Sequence, residues 1–218
     1  MTEVPPIPRN QPTSTAVPWL WALSPLFIAP LAEYLIVGPV GSYYLFMLPG
    51  FLIFPALGAL AHLLASPVLM IPRDSRRQRL RHCGLCLVLV VCTIAGMRWA
   101  GSIRNEAFHR LAQHSSGLVT AIKNYERSRG LPPPSLDALV PDFLVTVPGT
   151  GMAAYPAYTY LAGDAARRYE QNPWVLVVPT PYGGINFDKF LFFPRQNYPQ
   201  KGYGGWLQRM GDWGYVHE

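Results

Sequence analysis

Residues 81–141 read RHCGLCLVLVVCTIAGMRWAGSIRNEAFHRLAQHSSGLVTAIKNYERSRGLPPPSLDALVP. The part from Cys83 to Trp99 is an apolar run of Leu, Val, Ile and Cys, without charge until Arg98. It passes without a Gly-Pro break into 105–129. There Phe108, Leu111, Leu118, Ile122 and Tyr125 recur at spacings of three, four and seven, with Ala112 and Val119 beside them. That spacing is one face of a helix. Gly130 ends the pattern, and the Pro132-Pro133-Pro134 run prevents an immediate restart. The stretch predicts one helix that leaves a membrane and carries on as the spine of a small water-exposed lobe.

Composition divides the chain in the same place. Half of its 218 residues are hydrophobic and 14% are charged, against about 25% charged in an ordinary soluble domain. Between 18 and 71 the only ionisable side chains, tyrosines apart, are Glu33 and His62. From 101 to 218 there are 11 Lys and Arg and 9 Asp and Glu, a near-neutral soluble composition. The net charge of +6 arises mostly from Arg73, Arg76, Arg77, Arg79 and Arg81, between two apolar runs. Juxtamembrane arginines mark a cytoplasmic loop. Their partner is anionic lipid rather than nucleic acid.

The sequence implies a flexible tail (1–17), a membrane region (18–100) with helices at about 18–38, 43–68 and 83–100, and an extracytoplasmic α+β domain (101–218). Trp19, Trp21 and Tyr34 stand near the ends of the first run, as aromatic belts do. Pro25 and Pro30 are expected to kink it. Glu33 has two readings: an intramembrane proton or ion site, or a polar residue near the far headgroups, just before the Gly38-Pro39-Val40-Gly41 turn. The second is preferred. His62 lies too far from that turn to pair with it. Cytoplasmic arginines put the N-terminus inside the cell and everything after Ser102 outside, in a bacterial inner membrane.

The lobe continues with Ser135-Leu136-Asp137-Ala138-Leu139, a short helical turn, and a Gly-rich turn at 149–151. Strands are expected at 155–161, 174–178 and 187–193, with a further one near 213–217. All three cysteines, Cys83, Cys86 and Cys92, fall in the third apolar run. The lobe therefore has no internal disulfide. Cys83 and Cys86 have C-x-x-C spacing but no second ligand pair nearby, so packing inside a helix is preferred to a redox or metal role. His109 and His114 are five apart and do not share a face as an i, i+4 metal pair would.

A membrane helix running into an amphipathic helix, then Gly130, Pro133, Ser135, Leu136, Leu139, Val140 and Pro141, then Phe143, Leu144 and Pro148, resembles the helix-to-sheet loop of type II secretion pseudopilins. The resemblance covers about 85–160. It implies a long helix packed on a small antiparallel sheet. Pseudopilins begin with a basic leader and a processing site. Here two apolar runs come first, and Cys83-Gly-Leu-Cys86 stands at that place. A chain that stays in the membrane, rather than polymerising, is expected. The family's major member binds calcium in a late loop. Its ligands do not map onto Asp188, Asp212 and their neighbours, so no metal is carried over.

No P-loop, G-x-S-x-G or H-E-x-x-H occurs. Gly149 to Gly151 and Gly183-Gly184 lack the strand-turn-helix setting of a phosphate loop. Ser115 and Ser116 beside His114 cannot face one another as a nucleophile and base on one helix. Asp212 with His217, and Arg209 with Glu218, are read as structural polar pairs. No catalytic residue, cofactor or metal is expected. The aromatic residues of the lobe remain, either as a recognition surface or as the filling of a thin core. Trp174, Tyr182, Tyr203, Trp206, Trp213 and Tyr215 are the candidate interaction surface, and Glu33 the candidate intramembrane polar residue. The sequence thus points to a non-enzymatic inner-membrane protein used for assembly or envelope interaction, its partners being the bilayer and other envelope or membrane proteins. A membrane-anchored sensor or ligand-binding module, and a transporter accessory subunit using Glu33, are the alternatives.

Overall fold

A computed structural model describes residues 17–66, 76–181 and 186–217. Tyr182, Arg73, Gly183, Gly184, Glu218 and the tail before Val17 lie outside the described residues. The fold is α+β, with long helices and a six-stranded antiparallel sheet.

Helices α4 (Arg76–His114) and α5 (Ser116–Arg129) meet at Ser115. The backbone ladder does not stop there. Ser115 N donates to Leu111 O at 2.9 Å, and Val119 N donates to Ser115 O at 3.0 Å. The Ser115 hydroxyl adds a 2.6 Å bond back to Leu111 O, the kind of local bond that bends a helix slightly. Arg77–Arg129 is thus one helical rod of 53 residues, as the sequence predicts. Gly130, at φ +75°, closes it in the left-handed conformation that glycine tolerates best.

Among the described residues, two helices are long and apolar enough to cross a membrane: this rod and Tyr43–Ala65, which comprises a short 3-10 turn (Tyr43–Phe46) and α3 (Met47–Ala65). A third crossing is formed if α1 (Val17–Leu23) and α2 (Pro25–Ile36) count as one span. They meet at 43°. The bend falls at Ser24-Pro25. The Ser24 hydroxyl donates back to Trp21 O at 2.9 Å, and Pro25 starts the new helix, where its missing N–H costs nothing.

Helix α2 runs alongside α4 in the same direction. Pro25 lies against Gly96, and Glu33 reaches Arg104. Small buried residues make this approach possible: Ala29 and Ala32 on one side, Thr93 and Ala100 on the other. A Cβ on Gly96 would come within 2.3 Å of Pro25 O, so only glycine fits.

The strand order is β1-β2-β3-β6-β5-β4, with β1 Thr159–Ala162, β2 Trp174–Pro179, β3 Lys189–Phe192, β4 Lys201–Gly202, β5 Gly205–Met210 and β6 Trp213–His217. A four-residue helix, α6 (Asp164–Arg167), connects β1 towards β2. Strands β1, β2, β3 and β6 fall within or beside the segments expected from sequence. The β4 and β5 strands do not: the tail from 201 to 210 forms a hairpin that the sequence reading leaves unassigned. Its two-residue turn is Tyr203-Gly204, both at positive φ (57° and 105°), which matches the twist of the paired strands.

Both faces of the central strands are covered. On the face towards the rod, Trp174, Leu176, Val178, Phe190, Phe192, Trp213 and Tyr215 pack with Phe108, Leu111, Leu118 and Ile122. Those four helix residues are the face expected from their spacing. On the other face, Val175, Val177, Leu191, Phe193 and Val216 are covered by Ala166, Tyr169, Tyr198 and Tyr203. Burial on both sides explains why these strands read as continuous apolar runs rather than alternating ones. The main core also extends back past residue 101: Ile36 and Val37 are part of it, and Tyr43, Leu45 and Phe46 pack against it. The tip between α2 and α3 is pinned as well, Ala153 N donating to Gly38 O at 2.9 Å.

Candidate functional site

Arg104 lies on the rod four residues before Phe108, and so on the face that Phe108 and Leu111 turn to the core. It is 8% exposed. A guanidinium in such a place needs partners on every side, and it has them. Its Nη1 donates to Glu33 Oε1 at 3.0 Å and more weakly to Tyr155 OH at 3.4 Å. Its Nη2 donates to Thr180 O at 3.0 Å, and its Nε to Tyr215 OH at 3.1 Å. The guanidinium also lies over the rings of Phe108, Tyr155 and Tyr215, 5.0, 5.7 and 5.8 Å from their centroids. One side chain thereby joins α2, α4, the segment after Met152, the residue that follows β2 and strand β6.

The network continues outward. Tyr215 OH, which accepts from Arg104, donates to Asp188 Oδ2. Asp188 is 3% exposed, and its backbone oxygen accepts from Thr180 N at 2.9 Å. His217 Nδ1 lies 4.0 Å from Asp188 Oδ2, at the solvent end of the chain of contacts. Tyr155 OH donates to Pro181 O at 3.0 Å. Burial pushes the Tyr215 phenol up; Asp188 acts in the same direction, and Arg104 opposes it. Burial also pushes the Tyr155 phenol up against the pull of Arg104. His217 is lowered, chiefly by burial, with Asp188 opposing.

These groups form an interlock. The arginine is held by a carboxylate, two phenols and a carbonyl, and the rod and sheet are fixed relative to α2. The hydroxyl of Ser115 is buried between Leu111 O and Tyr158 OH (2.8 Å), a structural role. No group of three or more His, Cys, Asp or Glu is placed to hold a metal among the described residues. Cys83, Cys86 and Cys92 are free thiols.

The candidate surface residues separate sharply. Trp174, Trp213 and Tyr215 are 0, 2 and 1% exposed and belong to the core, which corrects their reading as a recognition surface. The reason is position: each occupies the strand register that faces the rod. Trp174 Nε1 is satisfied there by Glu126 Oε2 of α5 at 3.1 Å. Tyr203 is half-buried and stacks on Tyr169 at 5.0 Å. Trp206 stands out at 66% exposed, with Lys201 Nζ 5.3 Å from its ring. Glu33 is 1% exposed and paired with Arg104, a partner the sequence reading did not foresee. Arg209 stacks on Tyr198 and donates to Gln196 Oε1; its expected partner Glu218 lies outside the described residues.

Sequence reasoning passed over Arg104. The signal was present, in a charged residue on the apolar face of a helix. Compared with known proteins, the chain matches no family model, no curated protein and no solved structure.

Proposed function

We propose that this chain is a non-enzymatic integral membrane protein of the bacterial envelope. Its N-terminus is cytoplasmic, and its pseudopilin-like lobe is presented outside the cytoplasmic membrane as an assembly or envelope-interaction element. The observation that carries the reading is the buried Glu33–Arg104 pair at 3.0 Å. A head that only searched its surroundings would be best served by a flexible tether. This lobe has the opposite construction: it shares a continuous helix with the membrane region, takes Ile36 and Val37 into its core, and is fixed by an ion pair. Such a build suits a part that must hold a set attitude to the bilayer while other proteins assemble on it. The arginines in the first turns of α4, Arg77, Arg79 and Arg81, support the orientation.

The test is site-specific photo-crosslinking in native membranes, from Trp206 and other exposed lobe positions, with partners identified by mass spectrometry. Envelope or membrane proteins captured from the lobe, and lost when Arg104 is replaced by Met, are the expected result. Efficient capture that survives uncoupling of the lobe would contradict the reading, as would turnover of a small-molecule substrate by the intact protein.

A further inference from the structure

A groove of about 360 Å³ opens where the tip after α2 meets the rod. One wall is Tyr34 and the Gly38-Pro39 tip. The opposite wall is the α4 face bearing Arg110 and His114, and the Thr150–Met152 turn closes the end. Arg110 and His114 are four apart and so project from the same face, one turn from each other. Both are exposed, and neither has a hydrogen-bond or ion-pair partner among the described residues. Among the described residues, no carboxylate lines the groove; the nearest on the same stripe is Glu106, one turn towards the membrane. The walls are fixed, the tip by the bond from Ala153 N to Gly38 O and the rod by Glu33 and Arg104. The concavity is therefore present before anything binds.

Its height along the rod matters. Along the helices the exposed apolar and aromatic side chains run up to Met97 and Trp99 on α4, Tyr44 in the 3-10 turn before α3 and Tyr34 on α2, with Val40 exposed at the tip beyond. The groove starts at Tyr34 and rises from there. Long side chains on a helix lean towards its N-terminus, so Arg110 leans back towards the bilayer surface. A guanidinium offers paired donors that match phosphate oxygens, and an imidazole adds one more N–H.

We propose that this groove binds a phosphate group, with Arg110 as the principal ligand and His114 as the second. Two sources supply that chemistry at this height: the headgroup of an anionic phospholipid, and a free phosphate or phosphate ester. The site does not depend on the proposed assembly role.

The experiment uses the full chain. In one arm, nanodiscs of phosphatidylcholine alone are compared with nanodiscs containing phosphatidylglycerol, and retained lipid is counted by native mass spectrometry. In the other, detergent-solubilised protein is titrated with inorganic phosphate against chloride at matched ionic strength, following its thermal midpoint. Arg110→Gln should weaken the response about tenfold, as expected for loss of a charged hydrogen bond. Arg110→Lys should restore part of it, and His114→Gln should give a smaller loss. Arg127→Gln, an exposed arginine on α5 outside the groove, should leave the response unchanged. Selective retention of phosphatidylglycerol alone assigns the site to a headgroup, and a phosphate response assigns it to a free ligand. Absence of both, or an equal loss in Arg127→Gln, overturns the proposal. Tryptophan emission of each variant separates loss of binding from loss of fold.

Discussion

Replacing Arg104 by Met should lower stability by about 3–5 kcal/mol, the usual effect of removing one partner of a buried ion pair. Methionine keeps the stem that packs beside Phe108 and Tyr155, so the loss is chiefly polar. It strips the charge partner at 3.0 Å from Glu33, which is 1% exposed, and the donors to Thr180 O and Tyr215 OH. Adding Glu33→Gln to Arg104→Met removes the orphaned carboxylate. The double variant should then be less destabilised than the sum of the singles, by at least about 1 kcal/mol. What stays lost is the satisfaction of one carbonyl and one phenol, about 1–3 kcal/mol. The assay is denaturant unfolding in micelles, read from the emission of the buried Trp174 and Trp213, for parent, both singles and the double. An Arg104→Met variant within about 0.5 kcal/mol of the parent, a shift typical of a surface position, would refute the interlock. So would strictly additive singles.

The other predictions follow from burial, charge and close approach. Trp174→Ala and Trp213→Ala should each cost about 3–5 kcal/mol, while Trp206→Ala should stay within about 0.5 kcal/mol; thermal midpoints of the three discriminate core from surface. Tyr215 should make the protein sensitive to alkali. Its phenol is raised in the folded state, so the unfolded chain loses the proton first, and the contribution present below pH 10 declines as pH rises beyond it. A Tyr215→Phe variant should lack that component of the alkaline transition. His217 acts at the other end: its lowered value makes stability fall as pH drops below the ordinary histidine value of about 6.5, and His217→Gln should flatten the acid limb. Gly96→Leu should separate α2 from α4, because even a Cβ meets Pro25 O at 2.3 Å. Its signature should be loss of the disulfide crosslink that cysteines introduced at Ala29 and Ala100, level with each other between the Pro25–Gly96 and Glu33–Arg104 contacts, form when Gly96 is kept.

The rod was legible because two simple signals meet in it, an apolar run of spanning length and a 3-4-7 spacing after it. Strands β2, β3 and β6 were legible from aromatic and β-branched runs between turn residues. The β4–β5 hairpin was not, because Lys201-Gly202-Tyr203-Gly204-Gly205 reads as glycine-rich coil; its signal is the turn, in which Tyr203 takes the positive φ usually left to Gly, Asn or Asp. The aromatic residues were visible as a group but not by face, since a strand buried on both sides shows no alternation to tell core from surface. Glu33 stood out as costly, yet its partner lies 71 positions away. Pairing over that distance depends on α2 and α4 lying side by side, which the sequence places only through the register of small residues such as Ala29, Ala32, Gly96 and Ala100.

The central claim is that the membrane helix and the spine of the lobe are one rod. Spin labels at Met97 and Thr120, both exposed, with the native cysteines replaced by Ser, test it directly by double electron–electron resonance on the full chain in nanodiscs. At about 1.5 Å of rise per residue, a continuous helix predicts one narrow distribution near 35 Å. A broad distribution, or a peak many ångströms shorter, would show a hinge between the two halves and contradict the account.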